Sequence, residues 1–143
     1  MITKGLMSSK TYEWETPKDL FEYYNSVYHF DLDVCATKEN AKCDKYFTIE
    51  QDGLKQDWYG NVWCNPPYGK EIIKWVRKAS KYKGLCVMLL PARTDTKWFH
   101  WYVLHCARIE FIFGRLHFNN SKTSAPFPSI IAIYNEEKWK YGY

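Results

Sequence analysis

Gly84 and Pro91 bracket six apolar residues, Leu85-Cys86-Val87-Met88-Leu89-Leu90. An apolar run of that length without alternation fits a strand covered on both faces, as in parallel sheets flanked by helices. It falls far short of the ~20 residues a membrane helix needs. The 143 residues of the chain give room for one core and not for two. Helical and strand patterns alternate around the run. Thr16-Pro17 announces a helix, with Thr16 expected to cap its first turn, Pro17 at the first helical position and Asp19 near the positive end. Leu20, Phe21, Tyr24, Val27 and Tyr28 give that helix one apolar face. Short strands are expected over 30–36, 45–48 and 61–64. Lys70 to Tyr82 reads as the clearest helix, with Ile72, Ile73, Val76 and Ala79 on one side. A helix from Thr96 to about His105 follows, then strands over 108–113 and 129–134. The expected fold is therefore α/β, a mostly parallel sheet with helices on both faces. Residues 1–11 are expected as a flexible arm and residues 12–143 as one domain. In such sheets ligands bind at the carboxyl ends of strands where strand order reverses. The loops after Ala36 and after Cys64 occupy such ends.

Composition narrows the partners. The chain carries a net +4, but residues 1–69 hold 7 Lys against 11 acids, and residues 70–143 hold 13 Lys+Arg against 5 acids. The basic half is a candidate polyanion surface. Within it Lys70, Lys74, Arg77 and Lys81 recur at steps of four, three and four along one helix face. Arg115, Asn119 and Lys122, in the loop from Gly114 to Pro128, are of types that contact phosphates and base edges. Arg93 follows the buried strand and borders the expected pocket or forms the turn before Thr96. Aromatic residues reach 19%, enough to leave rings for stacking on a ligand. The five cysteines form no Cys-x-x-Cys pair and the four histidines no ligand spacing, so neither a disulfide framework nor a metal is expected. The N-terminus has no apolar stretch like a signal peptide, and a cytoplasmic protein is expected.

Asn65-Pro66-Pro67-Tyr68 is the segment that carries chemistry. Two consecutive prolines stop a strand and restrict the backbone, so the Asn65 side-chain oxygen and the Pro66 carbonyl are held at a fixed separation. Two acceptors so placed suit an amino group with two hydrogens on a planar ring. Accepting both hydrogens localises the nitrogen lone pair and makes the nitrogen a better nucleophile. Tyr68 offers a ring on which such a base would stack. A paired base cannot present its amine this way, so the target is single-stranded or flipped out.

The chain resembles the phage-type DNA N6-adenine methyltransferases, the Dam-like family, from Trp14-Glu15-Thr16-Pro17 to about Tyr134. The resemblance rests on Asp31-Leu32-Asp33-Val34-Cys35-Ala36, Asn40-Ala41-Lys42-Cys43, Trp63-Cys64-Asn65-Pro66-Pro67-Tyr68-Gly69, Leu89-Leu90-Pro91-Ala92-Arg93-Thr94-Asp95-Thr96, Phe113-Gly114-Arg115-Leu116 and Ala125-Pro126-Phe127-Pro128-Ser129. It implies a Rossmann-like methyltransferase sheet, S-adenosylmethionine as cofactor, and methyl transfer to adenine N6 of DNA in a bacterial host cytoplasm. Asn65, Pro66, Pro67 and Tyr68 match the catalytic motif. Asp33, Cys35 and Ala36 match the first strand and turn beside the cofactor's methionine part. Thr16 and Pro17 match an N-terminal cofactor-contacting element, Asn65 is expected to touch the cofactor as well as the base, and Asp57 is expected to face the cofactor's adenine. The chain departs from the wider class in having no glycine in Asp33-Val34-Cys35-Ala36-Thr37. It has no room for a separate target-recognition domain, so specificity is expected to be short, weak or supplied by a homodimer partner. Cytosine N4, RNA adenine and a protein glutamine present a similar planar NH₂. A catalytically silent nucleic-acid-binding module of the same fold is the alternative from another class.

Overall fold

The computed structural model describes residues 14–142; the arm expected over residues 1–11 lies outside the described residues. The apolar run forms the strand Cys86–Pro91 (β4), every residue of it buried. It pairs in parallel with Val62–Cys64 (β3) and antiparallel with Ser129–Tyr134 (β6), a second fully buried strand. Leu32–Asp33 (β1), Lys45–Tyr46 (β2) and Arg108–Phe111 (β5) complete a six-stranded sheet in the order β2-β1-β3-β4-β6-β5.

The sheet is mixed, which corrects part of the parallel expectation. β1, β2, β3 and β4 run parallel, while β6 is antiparallel to both of its neighbours. The reason is local. Parallel neighbours need a long crossover, usually a helix. The link from β5 to β6 contains no helix, so the chain returns antiparallel.

Four helices accompany the sheet among the described residues: Lys18–Tyr28 (α1), Ile72–Lys81 (α2), Lys97–Tyr102 (α3) and Glu136–Tyr141 (α4). α1 buries Phe21, Tyr24 and Tyr28, and Phe21 meets Trp63 of β3 edge-on at 5.2 Å. Val27, expected on that face, is exposed. α2 buries Ile72, Trp75, Val76 and Ala79, with Lys74, Arg77 and Lys81 facing outward, as a 3.6-residue period requires. Thr96 caps α3, its side-chain oxygen accepting the Phe99 N–H at 3.3 Å. α4 was not legible from periodicity: it is short and buries no residue. No helix among the described residues is long and apolar enough to cross a membrane.

Candidate active site

β1 and β3 lie side by side in parallel, with Asp33 opposite Trp63 and the Val34 N–H donating to the Trp63 carbonyl at 3.2 Å. Their carboxyl ends therefore open on the same sheet edge. From β1 the chain moves outward to β2 and then crosses back to β3 on the other side, so this edge is a topological switch point. A cleft of about 590 Å³ sits there, within the range of sites for small organic ligands. The turn after β1, the loop over 48–54 and the Asn65–Pro67 segment line it, and Trp14, Glu15, Thr16 and Asn120 close one side.

The turn after β1 is built by Asp33. Its side chain is buried; Oδ1 accepts the Cys35 N–H at 3.2 Å and Oδ2 the Lys42 N–H at 3.0 Å. Burial pushes this carboxyl up to about 7, against the pull of those two donors. No residue from 34 to 42 takes a left-handed φ, so the turn needs no glycine. The glycine that matters is Gly53 on the opposite wall: a Cβ there would lie 2.1 Å from the Val34 carbonyl oxygen. That wall is tied down from α2 and beyond. Lys78 Nζ donates to the Leu54 and Gln56 carbonyls at 2.9 and 2.5 Å, and Trp58 Nε1 to the Gly53 carbonyl at 2.9 Å.

Asn65 leaves β3 directly into the cleft. Its amide nitrogen donates to the Trp14 carbonyl and, at 3.0 Å, to Thr16 Oγ1. Its Oδ1 is buried and has no hydrogen-bond partner. A buried acceptor left unpaired costs ~1–3 kcal/mol, and this one belongs to a residue that lines the cleft, where a donor from a ligand would satisfy it. Pro66 and Pro67 line the cleft beside it. Thr16 is buried and does not cap α1; its oxygen serves Asn65, and Pro17 takes the N-cap position without a side-chain bond. Pro17 stands outside the lining.

Tyr68 corrects a second expectation. Its ring is only 1% exposed, and its hydroxyl donates to the Leu89 carbonyl at 2.9 Å. Phe118 and Phe127 meet it edge-on at 6.4 and 5.7 Å. Enclosed this way, it offers no free face for stacking. A phenol that buries its ring needs a partner for its O–H, and the strand carbonyl supplies it. Three indoles line the cleft; Trp63 and Trp75 are buried, and half-buried Trp14 is held at 5.3 Å by both Phe118 and Phe127.

Asp57 is exposed and outside the lining. The acid on that wall is Asp52, whose φ of 56° and bond from the Leu54 N–H at 3.1 Å mark a tight turn before Gly53. An Asp-Gly pair in a loop was the available signal. Lys70, Lys74, Arg77, Lys81, Arg93, Arg115, Asn119 and Lys122 are all exposed and none lines the cleft. Lys74 pairs with Glu71 at 3.1 Å, and the Arg93 guanidinium lies 5.6 Å over the Phe127 ring. Asn119 faces inward through two bonds, its N–H to the Glu15 carbonyl and its amide nitrogen to the Thr16 carbonyl, both 3.0 Å. Sequence reasoning missed the acidic lining: Glu15, Glu39, Asp52 and Glu71 join Asp33 around the cleft, with Lys42 as the opposing cation. These acids come from separate segments, so no spacing reveals them.

The DNA N-6-adenine-methyltransferase (Dam) family matches residues 4–137. A DNA N-6-adenine-methyltransferase of Escherichia phage T1 is 39% identical over 92 residues, which are 60% of this chain and 38% of the phage protein. The putative methyltransferase YfdM of Escherichia coli (strain K12) is 36% identical over 64 residues, 39% of this chain and 70% of that protein. The matched region is thus well under half of the phage relative's length. The family match runs from before the first described residue to the start of α4 and takes in every strand and the whole lining of the cleft, and the chain belongs to the DNA N-6-adenine-methyltransferase (Dam) family.

Proposed function

We propose that the chain methylates the N6 amine of adenine in DNA with S-adenosylmethionine as methyl donor. The observation that carries this reading is the buried, unpartnered Oδ1 of Asn65 at the mouth of β3. An acceptor held there suits an amine hydrogen, and the Pro66 carbonyl is assigned the second hydrogen. With both hydrogens accepted, the ring's claim on the nitrogen lone pair weakens and the amine becomes nucleophilic. As the N–C bond formed, the bond from methyl to sulfonium sulfur would break, the sulfur leaving as a neutral thioether and the amine's surplus proton passing to water. The work is alignment and lone-pair localisation.

The cleft suits a cationic nucleoside donor in size and in charge, with Glu15, Asp33, Glu39, Asp52 and Glu71 around it. S-adenosylmethionine supplies, when bound, a methyl carbon made electrophilic by its sulfonium. Cys35 and Ala36 are assigned to its approach along the turn after β1, with Thr16 at the opposite side. Asp33 acts through the backbone it holds, since its two oxygens already serve Cys35 and Lys42. Asp52 replaces Asp57 as the acid assigned to that wall.

We read the sheet as Rossmann-like and residues 12–143 as one methyltransferase domain. DNA contact is assigned to the exposed cations Lys70, Lys74, Arg77, Lys81, Arg93, Arg115 and Lys122, all of them outside the cleft lining. The test is incubation with labelled donor and unmodified DNA, followed by nucleoside mass analysis. N6-methyldeoxyadenosine is expected. N4-methylcytosine would reassign the base, and a protein that neither methylates DNA nor releases heat on titration with the donor would be a silent module.

A further inference from the structure

An asparagine amide can turn over by 180° with little change in shape, exchanging its oxygen and its nitrogen. In one orientation Asn65 offers an acceptor to an incoming amine; in the other it offers a second donor and repels it. The function proposed above therefore depends on what holds the amide. The structure assigns that role to the Trp14–Thr16 segment, and we infer that Thr16 and Asn119 are positioning residues that lock Asn65 with its oxygen toward the target amine.

Two oxygens face the Asn65 nitrogen, the Trp14 carbonyl and Thr16 Oγ1 at 3.0 Å. The Trp14 carbonyl has no hydrogen to give, so the reversed amide would set oxygen against oxygen there; the Thr16 hydroxyl, able to give or accept, adds its bond in the orientation which that carbonyl selects. The lock holds only while residues 14–16 stay in place, and the loop before β6 keeps them there. Asn119 donates its N–H to the Glu15 carbonyl and its amide nitrogen to the Thr16 carbonyl, and Asn120 Oδ1 accepts the Glu15 N–H, all at 3.0 Å. The Trp14 ring packs on Phe118 and Phe127, each at 5.3 Å. Asn119 itself stands outside the cleft lining. Its influence reaches Asn65 through the strap.

The sequence expectation gives Asn119 a direct contact with nucleic acid, and the two roles separate by experiment. Thr16→Val keeps the shape of the side chain and removes the oxygen; Thr16→Ser keeps the oxygen; Asn119→Ala removes the bond to the Thr16 carbonyl. The expected result is a fall in kcat of about tenfold for Thr16→Val and Asn119→Ala, the size that one lost hydrogen bond produces. KM for DNA stays within about twofold, and Thr16→Ser regains the wild-type rate. In the ¹⁵N-labelled protein without donor or DNA, the Asn65 side-chain NH₂ signals are protected from exchange, and both damaging variants lose that protection. Variants that turn over at the wild-type rate with unchanged Asn65 signals would overturn the inference. So would Asn119→Ala if it raised KM for DNA and left kcat alone. An inactive wild type would instead sink the methyltransferase reading, and the Asn65 signals would then decide the lock by themselves, unchanged protection overturning it.

Discussion

The carboxylate of Asp33 accepts the backbone N–H of Lys42, nine residues downstream, at 3.0 Å. That bond and its partner at Cys35 fold the turn after β1 into one wall of the cleft. A buried acid organises this turn from residues with no left-handed φ. Asp33→Asn retains one acceptor for two donors. The expected cost is ~1–3 kcal/mol of stability, with weaker binding of S-adenosylmethionine by calorimetry. The pH dependence follows from the sign of the shift. Burial raises the folded-state carboxyl from 3.8 to about 7, so between those values the folded protein binds the proton more tightly than the unfolded chain does. The Asp33 contribution to stability falls as pH rises across that window and is level above it. Urea titrations at several pH values should show the wild type losing ground against Asp33→Asn between about pH 4 and 7; parallel curves would remove the assignment.

Asn65→Ala deletes the orphaned acceptor while the Asp33 turn and the 48–54 wall remain. Methylation should drop by about 10²–10³-fold, the usual loss when one preorganised hydrogen-bonding group is removed from an active site. Donor affinity should change by less than about threefold, since the amide acts on the acceptor base. Single-turnover rates beside calorimetry separate the two. Near-normal turnover would end the role given to Asn65.

Gly53→Ala tests how closely the two walls approach. The new Cβ would fall 2.1 Å from the Val34 carbonyl oxygen, and backbone on both sides would have to move. A loss of ~1–3 kcal/mol is expected, together with reduced donor binding because Val34 and Gly53 both line the cleft. Thermal melts with and without donor would reveal it. A variant as stable and as tightly bound as the wild type would mean the walls are free to part.

Tyr68→Phe keeps the ring and loses the bond to the Leu89 carbonyl. The loss should appear as ~1 kcal/mol in chemical denaturation, with methylation per folded molecule unchanged. A large loss of turnover at unchanged stability would return the phenol to the chemistry and show that the enclosed conformation opens during the reaction.

Replacing Lys70, Lys74, Arg77 and Lys81 together by Ala should weaken DNA binding and flatten its salt dependence by ~0.9 for each duplex phosphate that these cations neutralise in the wild type. All four side chains are exposed, and Lys74 gives up only a surface pair with Glu71. An unaltered salt slope would leave these cations as a solvated helix face.

Features with a local cause were legible in the chain itself. The uninterrupted apolar run became β4, buried at every position. The helix expected from Thr96 formed as α3, and the lysine stripe of α2 faced outward because 3.6 residues make a turn. The tandem prolines ended β3 and set Asn65 at a strand mouth beside the turn after β1. Even the reversal of β6 was readable in principle, since 112–128 carries no helical pattern for a crossover.

What the chain alone left undecided depends on residues far apart in sequence. Thr16 reads as a cap by its neighbours and becomes a partner of Asn65, 49 positions away. Tyr68 reads as a free ring until Phe118 and Phe127 close over it. The acid on the 48–54 wall is Asp52 instead of Asp57 because that loop folds against Val34. Periodicity, capping and proline stiffness act over a few residues and leave a trace in spacing. Which hydroxyl finds which amide, and which ring is covered, follows from packing the loops onto the finished sheet, where the cost of leaving a buried polar group unpaired selects the partner.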